Sequence, residues 1–331
     1  MSDRFRALVV DRGEDKSTTA SFRELTNDAL PEGDTLVEVA YSTINYKDAL
    51  AVTGKGKIIR TFPCVPGVDL SGTVIETSHD GLRGGDQVVL TGWGVGEKHS
   101  GGFAQRVRLK GDWLLKLPDG LDLKQAMAIG TAGFTAMLSV LALQAQGLSA
   151  GDEVIVTGAG GGLGGVALIL LSRLGCKPFA VSGRPEMADY FKELGAADIL
   201  PRTTFTEGSK APLDSARWPA AIDTVGGATL ANLLKAMAYG GTVAACGLAG
   251  GADLPTSVFP FILRGVKLIG IESVYLPNEQ RREAWTKLAE LLPADRLEAM
   301  TKTVTLDDVP AVADQVMAGQ VRGRTVVDLT A

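Results

Sequence analysis

The stretch EVIVTGAGGGLGGVALILLSRLG, residues 153–175, restricts the folds open to this chain more than any other. A strand-like apolar run meets Gly158, Gly160, Gly161 and Gly162, then an apolar helix-like run closed by Gly175. Gly160, Gly162 and Gly165 fit the spacing G-x-G-x-x-G, and Ala159, Gly162 and Gly165 fit a variant of it. A pyrophosphate needs bare backbone amides and a helix N-terminus whose dipole favours negative charge; side chains there would block its approach. Glycine spacing alone is a weak signal. Here a strand precedes it, a helix follows, and a second strand arrives on schedule. Further apolar runs come at helix-length intervals: KPFAV (177–181), ADIL (197–200), AAIDT (220–224), TVAAC (242–246) and VKLIGI (266–271). Apolar runs without alternation are strands buried on both faces. The sequence therefore predicts an α/β fold with a doubly wound parallel sheet of six strands.

After the second strand of such a fold, about twenty positions past the glycines, an acidic residue ordinarily binds the ribose hydroxyls of NAD. This chain has AVSGR (180–184), so Ser182, Gly183 and Arg184 stand there instead. Arginine offers a planar donor fork and a permanent positive charge, serine a neutral donor, and glycine a close backbone approach. A 2′-phosphate suits that set, and the cofactor expected is NADPH. Ser182 and Pro185 also suit the start of the helix PEMADYFKELG, and that role is compatible with phosphate binding.

Up to about Lys124 the chain reads as β-rich: ALVV, TLVEVAYSTI, GVDLSGTVIET, DQVVLTG and FAQRVRL are short runs cut by Gly, Pro and Asp. The clusters GWGVG (92–96) and SGGF (100–103) are loops where the backbone turns tightly or approaches something closely. Past Glu272 come an amphipathic helix, EQRREAWTKLAELL (279–292), and a strand-like TVVDL that returns to the first domain. The expected organisation is a nucleotide-binding domain, residues 125–271, inserted in a discontinuous β-rich domain, residues 1–124 and 272–331.

The uncharged stretch from Ala126 to Gln146 has the length of a membrane span, but Gly130, Thr131, Gly133, Thr135 and Ser139 interrupt it. It reads as a buried helix. MSDRFRALVV lacks a signal peptide's apolar core, and a cytoplasmic protein with no membrane partner is expected. A net charge of −5 gives no reason to expect a nucleic-acid partner. Cys64, Cys176 and Cys246, with His79 and His99, include no Cys-x-x-Cys pair and no His at ligand spacing, so no metal site is expected.

Without a metal, direct hydride transfer suits an alkene conjugated to a carbonyl better than an isolated ketone. Such a step needs placed hydrogen-bond donors and one modest acid. In NYKDAL (45–50), Asn45, Tyr46 and Asp48 can project from the end of a strand. Alternatively, Asn45 and Asp48 cap a helix beginning near Ala49 while Tyr46 packs at a domain edge. Next along, Lys55, Lys57 and Arg60 are either a solvated face or a binding patch for the phosphates of a coenzyme A substrate.

These residues resemble the medium-chain dehydrogenase/reductase superfamily, in its zinc-free quinone-oxidoreductase branch, and within it the bacterial NADPH-dependent acryloyl-CoA reductases. The likeness is carried, in order, by INYKDALAVTGKGKIIR (44–60), VVLTGWGVGE (88–97), KGDWL (110–114), IGTAGFTAML (129–138), VTGAGGGLGG (156–165), AVSGR, LPR (200–202), AIDTVG (221–226), ACGLAGG (245–251), PFILR (260–264) and QVRGRTVV (320–327). It implies a Rossmann domain inserted in a GroES-like catalytic domain. It also implies that Gly160, Gly161, Gly162 and Leu163 cradle the pyrophosphate, and that Ser182, Gly183, Arg184 and Arg202 hold the 2′-phosphate and adenine end. Tyr46, Leu248, Ile262 and Ser273 would line the nicotinamide side. Asn45 and Asp48 would stand in the pocket, with Tyr46 as proton donor and water as its rival; a phenol carries its proton at neutral pH. The activity implied is reduction of acryloyl-CoA to propanoyl-CoA by a homodimer, associated through the nucleotide domain and its edge strand VKLIGI. The rivals are a quinone or enone reductase and a noncatalytic NADPH-binding subunit. A polar residue that relatives carry near Met317 to Gly319 has no match here.

Overall fold

Valine- and leucine-rich runs cut by glycine, proline and aspartate become the strands of the first of two compact units. The computed structural model describes residues 3–331. The first unit holds the described residues up to Thr131, with Val274–Glu290 and Leu297–Ala331; the second holds Ala132–Ser273 and Leu291–Arg296. In chain order the first unit contributes β1 (Arg4–Arg12), β2 (Thr18–Thr26), β3 (Thr35–Thr43), the helix α1 (Tyr46–Val52), β4 (Asp69–Thr77), β5 (Gln87–Thr91), β6 (Arg106–Leu109) and β7 (Leu115–Lys116). The second contributes β8 (Glu153–Thr157), β9 (Lys177–Ser182), β10 (Asp198–Pro201), β11 (Trp218–Asp223), β12 (Met237–Ala245) and β13 (Lys267–Gly270). The chain then returns to the first unit as β14 (Thr301–Thr305) and β15 (Arg324–Asp328).

In the first unit β1 and β2 form an antiparallel pair, and a seven-stranded sheet runs β14-β15-β3-β4-β5-β7, with β6 also on β3. Leu8, Val37, Val39, Leu70, Val88, Leu90, Phe103 and Leu109 fill its core. Because β3 and β5 are both antiparallel to β4, both end at the edge where β4 begins. β15 is antiparallel to β3 and starts at that same edge. Residues distant in sequence therefore meet there.

The second unit is the doubly wound sheet, all parallel, in the order β10-β9-β8-β11-β12-β13. This is the arrangement whose strand order reverses between its first and fourth strands, here β8 and β11, opening a crevice at their carboxyl ends. Val154, Ile155, Val156, Ala180, Val181, Ala221 and Ile222 are buried on both faces, as the unbroken apolar runs require.

The boundaries differ from those expected. The first falls after Thr131 rather than Lys124. The uncharged stretch forms the helix Leu123–Gln144, but Gly130 breaks it with φ 50° and ψ −162°. Before that break Ser71 donates to the Leu123 carbonyl (2.7 Å) and Arg324 to the Ala128 carbonyl (2.8 Å), tying residues 123–131 to the first unit. Residues 291–296, expected with the first unit, pack with the second. The helix is long and apolar enough to cross a membrane, and most of it is buried.

Candidate cofactor and active site

At the end of β8 the chain turns through Gly158, at φ +61°, and Gly161 caps a helix that runs from Gly162 to Arg173. Backbone excludes a side chain at Gly164, and the Arg184 guanidinium crowds Gly160. A Cβ on Gly164 would lie 2.5 Å from the Gly158 carbonyl, and one on Gly160 would strike the Arg184 guanidinium. The helix N-terminus is thereby left as bare backbone, which is what a phosphate oxygen needs.

A polar joint that the sequence reading missed links the carboxyl ends of β8 and β11. Asp223, fully buried, accepts hydrogen bonds from Thr157 Oγ1 and the Gly226 amide, both 2.7 Å. Thr224 in turn donates its amide to Thr157 Oγ1 (3.0 Å) and its hydroxyl to the Thr157 carbonyl (2.9 Å). Burial raises the Asp223 carboxyl above its ordinary range, opposed by those donors. An aspartate in an apolar strand run must find partners, and that was the available signal.

Ser182 ends β9, and its hydroxyl accepts the Arg184 amide (3.1 Å). It does not cap the helix that follows, as the sequence had also allowed. The Arg202 guanidinium lies against Gly183, about 3 Å from where a Cβ would sit, and the Arg202 amide donates to the Ser182 carbonyl (2.8 Å). One guanidinium thus lies against Gly183, and that of the adjacent Arg184 reaches back over Gly160. Leu248 is exposed on the loop after β12, where Gly247 and Gly251 pack on Thr224 and Gly226 beside the crevice. Ser273 follows β13 and is half-buried. Ile262 is 69% exposed on the helix Phe259–Arg264, sharing an open apolar face with Val258, Phe259 and Leu263.

In the first unit, α1 starts at Tyr46, three residues earlier than the sequence suggested. Asn45 and Asp48 form its capping box. Asp48, 1% exposed, accepts from the Asn45 amide (2.9 Å), the Asn45 side chain (3.2 Å) and the Val68 amide (2.9 Å). This corrects the pocket role expected for Asp48: its oxygens are engaged in holding the helix to the start of β4. Asn45 Nδ2 also donates to Asp69 (2.8 Å), while its Oδ1 accepts from Arg324 Nη1 (3.1 Å). With two carboxylates on one side and a guanidinium on the other, the amide has one satisfactory orientation. Tyr46 alone of the three candidates points outward, at 41% exposure.

Asp69, Thr131 and Arg324, none of them foreseen, complete this network. Asp69 takes both the amide (2.8 Å) and the hydroxyl (2.5 Å) of Thr131. Arg324, 3% exposed, reaches Thr43 Oγ1 (2.8 Å) besides Asn45 and Ala128. Burial, then the neighbouring Asp69, pushes the Asp48 carboxyl up to about 7. Burial also raises Asp69, against its hydrogen bonds and Arg324, and lowers Arg324.

Lys55, Lys57 and Arg60 are all exposed, and Lys55 lies 3.4 Å from Asp314. Cys64 and Cys246 are free thiols that burial pushes up to about 12, which makes them unreactive. Among the described residues no three His, Cys, Asp or Glu side chains gather as a metal site.

Residues 31–119 match the alcohol dehydrogenase GroES-like domain, and residues 162–292 match the zinc-binding dehydrogenase family. The chain is 51% identical to the acrylyl-CoA reductase AcuI of Ruegeria pomeroyi, over 99% of this chain and all of the relative. The chain belongs to the medium-chain dehydrogenase/reductase superfamily. Its fold matches the YhdH oxidoreductase of Salmonella enterica, solved in complex with NADP, with a TM-score of 0.95 and 51% identity, covering 98% of this chain and 99% of that one. It also matches YhfP of Bacillus subtilis, solved with NAD bound, with a TM-score of 0.94 and 40% identity over 99% of this chain and all of that one. The superfamily thus accommodates both nicotinamide cofactors on nearly this backbone, so the choice between them rests on individual side chains.

Proposed function

We propose that this chain reduces the α,β-double bond of acryloyl-CoA with NADPH, giving propanoyl-CoA without a zinc ion. The observation that carries the cofactor half is the pair Arg184 and Arg202 beside Gly183 where NAD enzymes place a carboxylate. The substrate half is supported by the full-length similarity to acrylyl-CoA reductases. When bound, NADPH supplies the hydride. The residues of this chain do the rest. The glycines from 160 to 162 bind the pyrophosphate, Arg184, Arg202 and Ser182 hold the 2′-phosphate, and the joint of Thr157 and Asp223 keeps the crevice in shape. As the β carbon is reduced, negative charge moves to the thioester oxygen and the α carbon takes a proton. Tyr46, exposed at the first turn of α1 and held there by Asn45, is the donor we assign.

The test is NADPH oxidation with acryloyl-CoA, free acrylate and a simple quinone in parallel. Turnover of the thioester that collapses for acrylate and quinone is expected. Equal or faster turnover of the quinone would favour the quinone reductase, and NADPH binding without turnover would favour a noncatalytic subunit. We further propose a homodimer. Among the described residues β13 pairs only with β12, leaving one edge open, and the helix before it, with its cap Val258, exposes Val258, Phe259, Ile262 and Leu263. Sedimentation should give twice the monomer mass, reverting to one monomer in Ile262→Lys.

A further inference from the structure

Trp93 has a backbone conformation that a tryptophan rarely takes. Its φ is +57°, on a loop where Gly92, Gly94 and Gly96 lie at +85°, +73° and +76°. Every neighbour with a left-handed backbone is a glycine, and glycine is what position 93 would ordinarily carry, since a bulky side chain there is strained. Among the described residues no hydrogen bond explains the indole, because its Nε1 is buried and has no partner there. What the chain retains at this position is bulk.

That bulk is also held still. The Arg281 guanidinium stacks 4.9 Å from the ring centre. Arg281 is itself fixed by the carbonyls of Thr91 (2.8 Å), Val274 (2.6 Å) and Leu276 (2.8 Å). Tyr275 meets the indole edge-on at 6.4 Å, and the Trp93 amide donates to the Val274 carbonyl (2.9 Å).

The loop stands beside α1. β5 ends two residues before Trp93, at the edge where β3 ends and β4 begins. The Gly92 amide donates to the Val68 carbonyl (3.3 Å), and the Val68 amide to Asp48 (2.9 Å). Lys47, next to Tyr46, pairs with Glu97 on the same loop at 2.8 Å. The loop that carries this half-buried indole is thus tied to the helix whose first turn presents Tyr46.

We propose that Trp93 sets the acyl-chain length, its indole walling the space beside Tyr46 so that only the shortest enoyl chains enter. This rests on the enoyl-thioester reading above. A wall of this kind discriminates by roughly tenfold or more for each added methylene that it rejects.

The experiment compares kcat/KM for acryloyl-, crotonyl- and trans-2-hexenoyl-CoA at saturating NADPH, in the wild type, Trp93→Gly and Trp93→Phe. Glycine suits the backbone and removes the wall; phenylalanine keeps the loop packed and trims it. The expected result is a hexenoyl-to-acryloyl ratio that rises at least about tenfold in Trp93→Gly and less, in the same direction, in Trp93→Phe. If Trp93→Gly is poorly folded by circular dichroism, the phenylalanine variant decides alone. An unchanged ratio, or a wild type that takes hexenoyl-CoA as well as acryloyl-CoA, overturns the inference and leaves the reductase reading intact. A wild type that reduces no enoyl-CoA overturns both.

Discussion

Arg324→Ala should lower the free energy of unfolding by about 3–5 kcal/mol in urea denaturation, the usual effect of stranding buried charges. Its guanidinium holds Asn45, Thr43 and the Ala128 carbonyl, and is the cation facing Asp69 and Asp48. The deficit should also depend on pH. Asp48, at about 7, stands well above the ordinary value of 3.8, and Asp69 is raised as well. The native state keeps protons that the unfolded chain has already released, so stability falls as pH rises from about 4 towards 7. Without the guanidinium both carboxyls rise further, and the variant's deficit should be larger at pH 8 than at pH 5. The same deficit at both values would mean that the carboxylates do not sense Arg324. Arg324→Lys restores charge but not the planar fork, and should recover only part of the loss.

The second large effect concerns the cofactor. The double variant Arg184→Ala, Arg202→Ala should lose about 10²- to 10⁴-fold in kcat/KM for NADPH, at roughly 1.5–3 kcal/mol for each charge-assisted contact. With NADH it should change little. Steady-state kinetics with both cofactors decides this, and a parallel loss with NADH would show that the arginines serve the fold rather than a 2′-phosphate. The comparison is pointed because a relative 40% identical to this chain was solved with NAD bound.

What could be read from the sequence was local. The glycine turn, the strand before it and the Ser-Gly-Arg end of β9 lie within about thirty residues, and each is fixed by backbone chemistry that leaves a signature in residue type. The spacing of Asn45 and Asp48 also gave away a helix cap, because a capping box is a three-residue relation. Asp69, Thr131 and Arg324 were illegible as a group. They are brought to Asn45 by strand order, across sequence separations of 24, 62 and 279 residues along the bonded pairs. A clue did exist: Asp69 lies inside a strand-like apolar run and Arg324 heads another, and charges buried there must be paired. Trp93 was harder still. The glycines around it announced a tight loop, but nothing in residue type says that a tryptophan will take a glycine's backbone conformation.

The place of β15 between β14 and β3 has a consequence for biosynthesis. The strands of the nucleotide sheet all lie between residues 153 and 270, so that sheet can close on itself as it leaves the ribosome. The larger sheet of the unit that carries Tyr46 cannot. Its pairing of β15 with β3 and its buried cation both wait for Arg324, which is synthesised 278 residues after Tyr46. During translation the cofactor half is ready first, and the half that carries Tyr46 stays incomplete until β15 has been made.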